Sequence, residues 1–225
     1  MTAVATDPAR ISVLRRRIRW IVGFTIAYNV VEGIIALIAG GVASSAALVG
    51  FGLDSFVEVL SAAAVAWQFA APDPERRERT ALRVIAFAFF ALAAYVTVDA
   101  VLSLSGVGEP DHSPVGIVLA AVSLVIMPSV SLLERRTGRE LGSASAVADS
   151  KQTLICAYLS AAVLLGLVAN ALFGWTWADP IAALAIAAFA VREGVEAWRG
   201  DACTTPVGVL TGEIAEHEHE HDHGH

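Results

Sequence analysis

Charged residues and cysteines are both scarce in this sequence of 225 residues. Only 16% of the residues are charged and 56% are hydrophobic, and the mean hydropathy is +0.64. Soluble domains typically have about 25% charged and about 45–50% apolar residues, so the composition excludes an ordinary soluble enzyme. The two cysteines, Cys156 and Cys203, are too few for the disulfide framework of a small secreted protein.

The motifs of common catalytic sites are also absent. Nothing in the sequence resembles a Walker A loop or a nucleophile elbow, and no histidine lies in the apolar segments to act as a base. We therefore predict that the protein is not an enzyme, holds no resident cofactor and has no nucleic-acid partner.

Long apolar runs occupy most of the chain. A helix that crosses a bilayer needs about 20 mainly apolar residues, and six segments meet this requirement. They are 18–40, 44–69, 81–104, 114–133, 147–173 and 177–198. The sequence therefore predicts an all-α fold, namely a polytopic membrane protein with a bundle of six transmembrane helices.

The basic residues indicate the orientation of this bundle. The connections 41–43, 105–113 and 174–176 contain no lysine or arginine, whereas all basic residues lie in or beside the other connections and the two ends. By the positive-inside rule both termini are cytoplasmic, and we predict a location in the inner (plasma) membrane. The predicted domains are a basic segment at 1–17, a transport domain at 18–199 and a disordered tail at 200–225.

Several ionisable residues lie inside the predicted spans, where each costs about 3 kcal/mol on insertion scales. Asp54 and Glu58 are four residues apart in the second span, so both carboxylates lie on one helix face. Gln152 and Cys156 have the same spacing in the fifth span, at a similar depth. Two carboxylates, a thiol and an amide oxygen are a suitable ligand set for a divalent transition ion.

Packing is the alternative interpretation of the pair on the fifth span. A lone Cys156 is often a small buried hydrophobe, and Gln152 is able to form an interhelical hydrogen bond. For Asp54 and Glu58 a cation or proton role is favoured, because two carboxylates one turn apart repel each other unless a proton or a cation lies between them.

Several short motifs follow one another along the predicted spans. They are Asn29 and Glu32 in the first span, Ser45-Ala46-Ala47-Leu48 before Asp54 and Glu58, Ala148-Asp149 before Gln152 and Cys156, and Trp177-Ala178-Asp179-Pro180 at the start of the sixth span. In this order and spacing they resemble the cation diffusion facilitator family. The similarity extends from the first span to the last.

This resemblance implies a secondary transporter, a homodimer, that exchanges a divalent metal for protons at a tetrahedral site near the membrane middle. Asp54 and Glu58 match the acidic pair of the family's second helix. Gln152 falls where the family often has His or Asp, and Cys156 where it usually has Asp. Because a thiolate favours softer or borderline ions, we predict export of zinc foremost, or of cadmium or cobalt, from the cytoplasm.

This sequence differs from a typical member of the family in one respect, and an alternative function stays open. The soluble domain that usually follows the sixth helix in this family is not found in the sequence, which indicates a short form. The alternative function is a membrane accessory protein that binds and buffers metal without transporting it.

Three weaker features complete the prediction. Glu32 either couples protons or holds the first helix against the second. Asp179 followed by Pro180 predicts a helix N-cap with proline at the first helical position. At the end of the chain, histidines alternate with acidic residues, a composition that binds zinc, nickel or cobalt loosely. These predicted accessory ligands are His217, His219, His221, His223 and His225.

Overall fold

Six helices form the computed structural model of the chain, which describes residues 8–69, 74–107, 110–141 and 144–199. They are α1 (Pro8–Ala43), α2 (Ala46–Phe69), α3 (Pro74–Leu104), α4 (Pro114–Leu141), α5 (Ala144–Phe173) and α6 (Ala178–Arg199). These described ranges contain no strand. The prediction of an all-α bundle with six helices is confirmed.

The length and apolar composition of these helices fit a membrane protein. Over the residues that the structure describes, α1, α3, α4 and α5 are each long and apolar enough to cross a bilayer. α6 is less uniformly apolar, because it carries Asp179 near its start and Arg192 and Glu193 near its end. The fold is therefore a helical membrane bundle in which α6 brings two acidic residues, Asp179 and Glu193, into the packed interior.

The helices are longer than predicted at one end of the bundle. α1 begins at Pro8 and α3 at Pro74, and α4 continues to Leu141, whereas the predicted spans have their limits at 18, 81 and 133. The apolar criterion stops at the first charged residues, but arginine and glutamate are good helix formers and extend the helix beyond the apolar part. We call this arginine-rich end the basic end and the other end of the bundle the opposite end.

α2 lies at the centre of the packing. It contacts α1, α3, α5 and α6, while α4 packs mainly on α5 and α3 mainly on α6. The core between the helices consists of apolar side chains, and six of them are at most 3% exposed: Leu48, Phe51, Phe89, Val96, Val163 and Ile186. Polar side chains on the inner faces of α2 are therefore held between helices and away from lipid.

The turn between α1 and α2 closes both helix ends. Ser44 adopts a left-handed conformation with φ of 51°, and the Ser45 N–H donates to the Gly40 carbonyl at 3.0 Å, as in a Schellman motif. The Ser45 hydroxyl accepts a hydrogen bond from the Leu48 N–H at 3.1 Å. Ser45 thus caps the first turn of α2, and the two helices run antiparallel.

Asp179 of α6 also binds at this turn. Its buried carboxylate accepts hydrogen bonds from the Ser45 hydroxyl at 2.5 Å and from the Ala47 N–H at 3.2 Å. The predicted N-cap role of Asp179 in its own helix is therefore wrong: α6 already begins at Ala178, and the carboxylate caps α2. The local sequence does not reveal this partner, which is 132 residues away along the chain.

Tryptophans lie near both ends of the bundle, a distribution typical of membrane interfaces. Trp20 and Trp198 are toward the basic end, and the Arg83 guanidinium lies 5.9 Å from the centroid of the Trp198 ring. At the opposite end Trp175 and Trp177 stack with their ring centroids 5.2 Å apart. All four indoles are exposed on the protein surface, where an amphipathic ring is able to contact both lipid and water.

Small residues bring α1 and α2 into close contact. A Cβ atom on Gly52 would lie 3.0 Å from the Leu37 backbone nitrogen and 3.1 Å from the Gly33 carbonyl oxygen. Because both neighbours are backbone atoms, only movement of a helix relieves the clash.

We therefore expect Gly52→Ala to lower the free energy of unfolding by about 1–3 kcal/mol, the usual cost of overpacking. Unfolding in mixed detergent micelles, followed by circular dichroism, measures this change. Gly41→Ala is the matched control, since a Cβ atom there meets no atom within 4 Å. Equal stability of the two variants would contradict the close contact.

Candidate metal centre

Two hydrogen-bonded pairs join α1 to α2 in the middle of the bundle. Asn29 Nδ2 donates to Glu58 Oε2 at 2.6 Å, and Ser55 Oγ donates to Glu32 Oε2 at 3.2 Å. Because the two helices are antiparallel, the step from Asn29 to Glu32 on α1 matches the step from Glu58 back to Ser55 on α2. We call these the Asn29–Glu58 pair and the Glu32–Ser55 pair, and they lie about one helical turn apart.

The Asn29–Glu58 pair extends to α5. The Cys156 thiol donates a hydrogen bond to Glu58 Oε1, so the two oxygens of one carboxylate bind groups from two other helices. A thiol that donates is protonated, whereas the thiolate is the form that binds metal. A cation held between Glu58 and Cys156 must therefore replace this proton.

The Glu32–Ser55 pair extends to α4. Ser123 Oγ donates to Glu32 Oε1, and the Ser123 and Tyr28 hydroxyls share a hydrogen bond of 2.6 Å. The Glu32 side chain is only 3% exposed. These contacts support the interpretation that Glu32 holds α1 against α2, and they add α4 to the connection. Proton coupling by Glu32 stays a prediction.

Asp54 is another buried carboxylate of this region. It lies on α2 one turn from Glu58, toward the opposite end, and is 5% exposed. Its carboxylate interacts electrostatically with those of Glu58, Glu32 and Glu193, and Glu193 is itself buried on α6. Acidic side chains of three helices therefore interact with one another here, an arrangement that a proton or a cation stabilises.

The structure brings some of the predicted metal ligands together but not all of them. Asp54, Glu58 and Cys156 occupy one region between α2 and α5, and Cys156 interacts electrostatically with both carboxylates. The side chain of Gln152 and the terminal histidines lie outside the described residues. Within the part of the chain that the structure describes, no three His, Cys, Asp or Glu side chains are close enough to form a metal cage. The ligand set therefore stays a prediction.

Sequence reasoning did not place Ser55, Ser123 or Glu193 in this centre. Serine is inconspicuous in a membrane helix because its hydroxyl is able to bond its own backbone, as Ser55 does with the Phe51 carbonyl at 3.2 Å. Glu193 was easier to identify from the sequence than the serines. It lies within the sixth predicted span, so the insertion cost that singled out Asp54 applies to it as well.

Comparisons with known proteins agree with this geometry. Residues 21–199 match the family model described as the cation efflux transmembrane domain. The chain is similar to the cation-efflux pump FieF of Shewanella oneidensis, with 28% identity over 166 residues. That similarity covers 69% of this chain and 55% of the pump, so the chain spans about half the length of this curated relative. The family match includes every residue of the centre described above.

Proposed function

Since the chain belongs to the cation diffusion facilitator (cation efflux) family, we propose that it is a secondary transporter that exports a divalent transition metal in exchange for protons. The observation that carries this proposal is the hydrogen bond between Glu58 and Cys156, formed beside Asp54. Two carboxylates with a thiolate favour zinc, cadmium or cobalt over magnesium or calcium, which prefer oxygen ligands alone. Zinc is the proposed physiological substrate.

Exchange with protons follows from the chemistry of these ligands. Carboxylates and a thiolate bind metal only after losing their protons, so binding of the cation expels protons and renewed protonation releases the cation. Gln152 is the proposed fourth ligand, through its amide oxygen. Glu32 is the proposed additional carrier of a proton, because it lies one turn from the Asn29–Glu58 pair on α1.

The direction of transport depends on the orientation of the bundle. We place the basic end in the cytoplasm, because exposed arginines such as Arg16, Arg79, Arg135 and Arg199 lie there. In this orientation both termini are cytoplasmic and the opposite end faces outward across the inner membrane. We further propose that two copies assemble as a homodimer in the bilayer.

Reconstitution into liposomes tests the function directly. Proteoliposomes with a trapped pH-sensitive dye are challenged in turn with zinc, cadmium, cobalt, nickel, manganese, iron and copper. We expect proton movement driven by zinc, cadmium and cobalt, and none in protein-free liposomes. Tight metal binding in detergent without flux in sealed vesicles would instead support the accessory, metal-buffering function.

The terminal histidines are proposed to collect metal near the cytoplasmic mouth of the transporter. Deletion of the residues after Thr211 should lower the initial rate of zinc transport at trace metal by about three- to tenfold, since the local concentration of bound metal falls. The rate at saturating zinc should not change. A matched full-length variant with the five terminal histidines replaced by asparagine separates metal binding from tail length. An unchanged rate at trace zinc would contradict this role.

A further inference from the structure

A second group of buried polar residues lies between α4 and α5, toward the basic end. Ser131, Glu134 and Thr137 recur every three residues on one face of α4, and each is at most 4% exposed. Ser150 and Thr153 have the same spacing on α5 and are also buried. We call these five residues the α4–α5 polar seam.

The two helices bond to each other within the seam. Ser131 Oγ donates to the Ser150 carbonyl at 2.5 Å, and Thr153 Oγ1 lies 3.5 Å from Glu134 Oε2, to which it donates. Both contacts use oxygen atoms, and Glu134 supplies the carboxylate. The Glu134 side chain is 1% exposed, although Arg135 and Arg136 beside it are exposed.

The seam leads to the candidate metal centre. Thr153 precedes Cys156 by three residues on α5, which corresponds to a rise of about 4.5 Å along the helix. Glu134 therefore lies about one turn closer to the basic end than the Cys156 thiol that bonds Glu58. Thr137, Glu134 and Thr153 are thus buried polar side chains on the part of α4 and α5 that lies between the basic end and Cys156.

Packing alone does not account for the chemistry of the seam. Two membrane helices associate well through small or apolar residues, whereas burying a carboxylate costs free energy unless it is paired or hydrogen-bonded. Carboxylate, hydroxyl and carbonyl oxygens are, however, groups that replace the water around a divalent cation. The oxygens of Glu134 and Thr153 are placed to do this just before the thiol is reached.

We propose that Glu134 and Thr153 form an entry site, at which the cation binds briefly on its way from the basic end to Asp54, Glu58 and Cys156. The entry site rests on the proposed transport function, and it adds the route by which the cation reaches the centre. An entry site governs the rate of loading, while the equilibrium affinity is determined by the final ligands.

The test compares Glu134→Gln with the wild-type protein in proteoliposomes and in detergent. Glutamine keeps the volume and one oxygen able to accept from Thr153, whereas the negative charge is lost and the other oxygen becomes an NH2 group. We expect the initial rate of zinc flux at low zinc to fall by about tenfold, with the equilibrium zinc affinity within about threefold of wild type. Glu140→Gln is the matched control, because this carboxylate on the same helix pairs with Arg10 at the partly exposed surface. The control should transport at the wild-type rate.

The possible outcomes distinguish failure of the entry site from failure of the proposed transport function. Wild-type protein without metal flux would overturn the proposed function itself, whereas normal flux in both wild type and Glu134→Gln would overturn only the entry site. If zinc affinity falls by the same factor as the rate of zinc flux, the entry site is also overturned, because Glu134 then acts on the final site. If Glu134→Gln does not fold, Thr153→Val gives the same test: slower flux at unchanged affinity supports the entry site, and unchanged flux overturns it.

Discussion

Asp54→Asn is expected to abolish metal-driven proton flux while the protein stays folded. Asparagine has nearly the same shape as aspartate, so the buried space on α2 stays filled, but one of the charges that stabilise the cation is lost. Removing one partner of a buried charge pair costs about 2–5 kcal/mol, which corresponds to a loss of zinc affinity of at least about 30-fold. Metal titration in detergent and the trapped-dye assay measure the two effects.

Asp99→Asn is the control for this variant. Asp99 is also a carboxylate within a membrane helix, but it lies half-buried on α3 and outside the candidate metal centre. We expect it to keep zinc affinity and flux close to those of wild type. Wild-type flux in Asp54→Asn, or an equal loss in both variants, would exclude Asp54 as a specific metal ligand.

Cys156→Ser is expected to weaken zinc and cadmium binding by about 100-fold and to change manganese binding by less than about threefold. The serine hydroxyl is a hard oxygen ligand that stays protonated, whereas the thiolate binds softer ions strongly. For the same reason the variant should release about one proton fewer when zinc binds. Zinc affinity should therefore decline less steeply as the pH falls than it does in the wild type.

Proton release is measured by adding zinc to the detergent-solubilised protein in a weakly buffered dye solution. Cys156→Asp is the informative companion, because a carboxylate is able to lose its proton and bind metal as an oxygen ligand. We expect it to restore proton release and to favour manganese relative to cadmium. If Cys156→Ser keeps the affinity and proton release of wild type, the thiol is a packing residue.

The helices were predictable because long apolar segments have few other stable forms in a bilayer. The start of α4 at Pro114 was located correctly, since Ser113 caps it and proline suits the first turn. The limits of the helices at the basic end were not predicted. The apolar criterion stops at the first arginine, whereas the helix continues beyond it. For this reason the apolar criterion does not identify Glu134, one residue beyond the predicted fourth span, as a buried membrane carboxylate.

The sequence predicts the candidate ligand residues of the centre but not their hydrogen-bond partners on the other helices. Asp54, Glu58 and Cys156 stand out because their spacing and insertion cost are visible along the chain. Their partners depend on how each helix is rotated against the next, which a sequence does not specify locally. Ser123 binds Glu32 across 91 residues of chain, and nothing around either residue predicts that contact.

The bond between Asp179 and the first turn of α2 has a mechanical consequence. Parting these helix ends would leave a buried carboxylate and the Ala47 N–H without their hydrogen bonds, at a cost of about 1–3 kcal/mol for each group. A rocking motion of the proposed transporter would therefore pivot at the opposite end, with α2 turning as a rigid rod. At about 1.5 Å per residue, Asp54 lies about 12 Å and Glu58 about 18 Å from Ala46, the first residue of α2. For the same rotation Glu58 would travel further than Asp54, so the distances from the two carboxylates to a bound cation would change unequally.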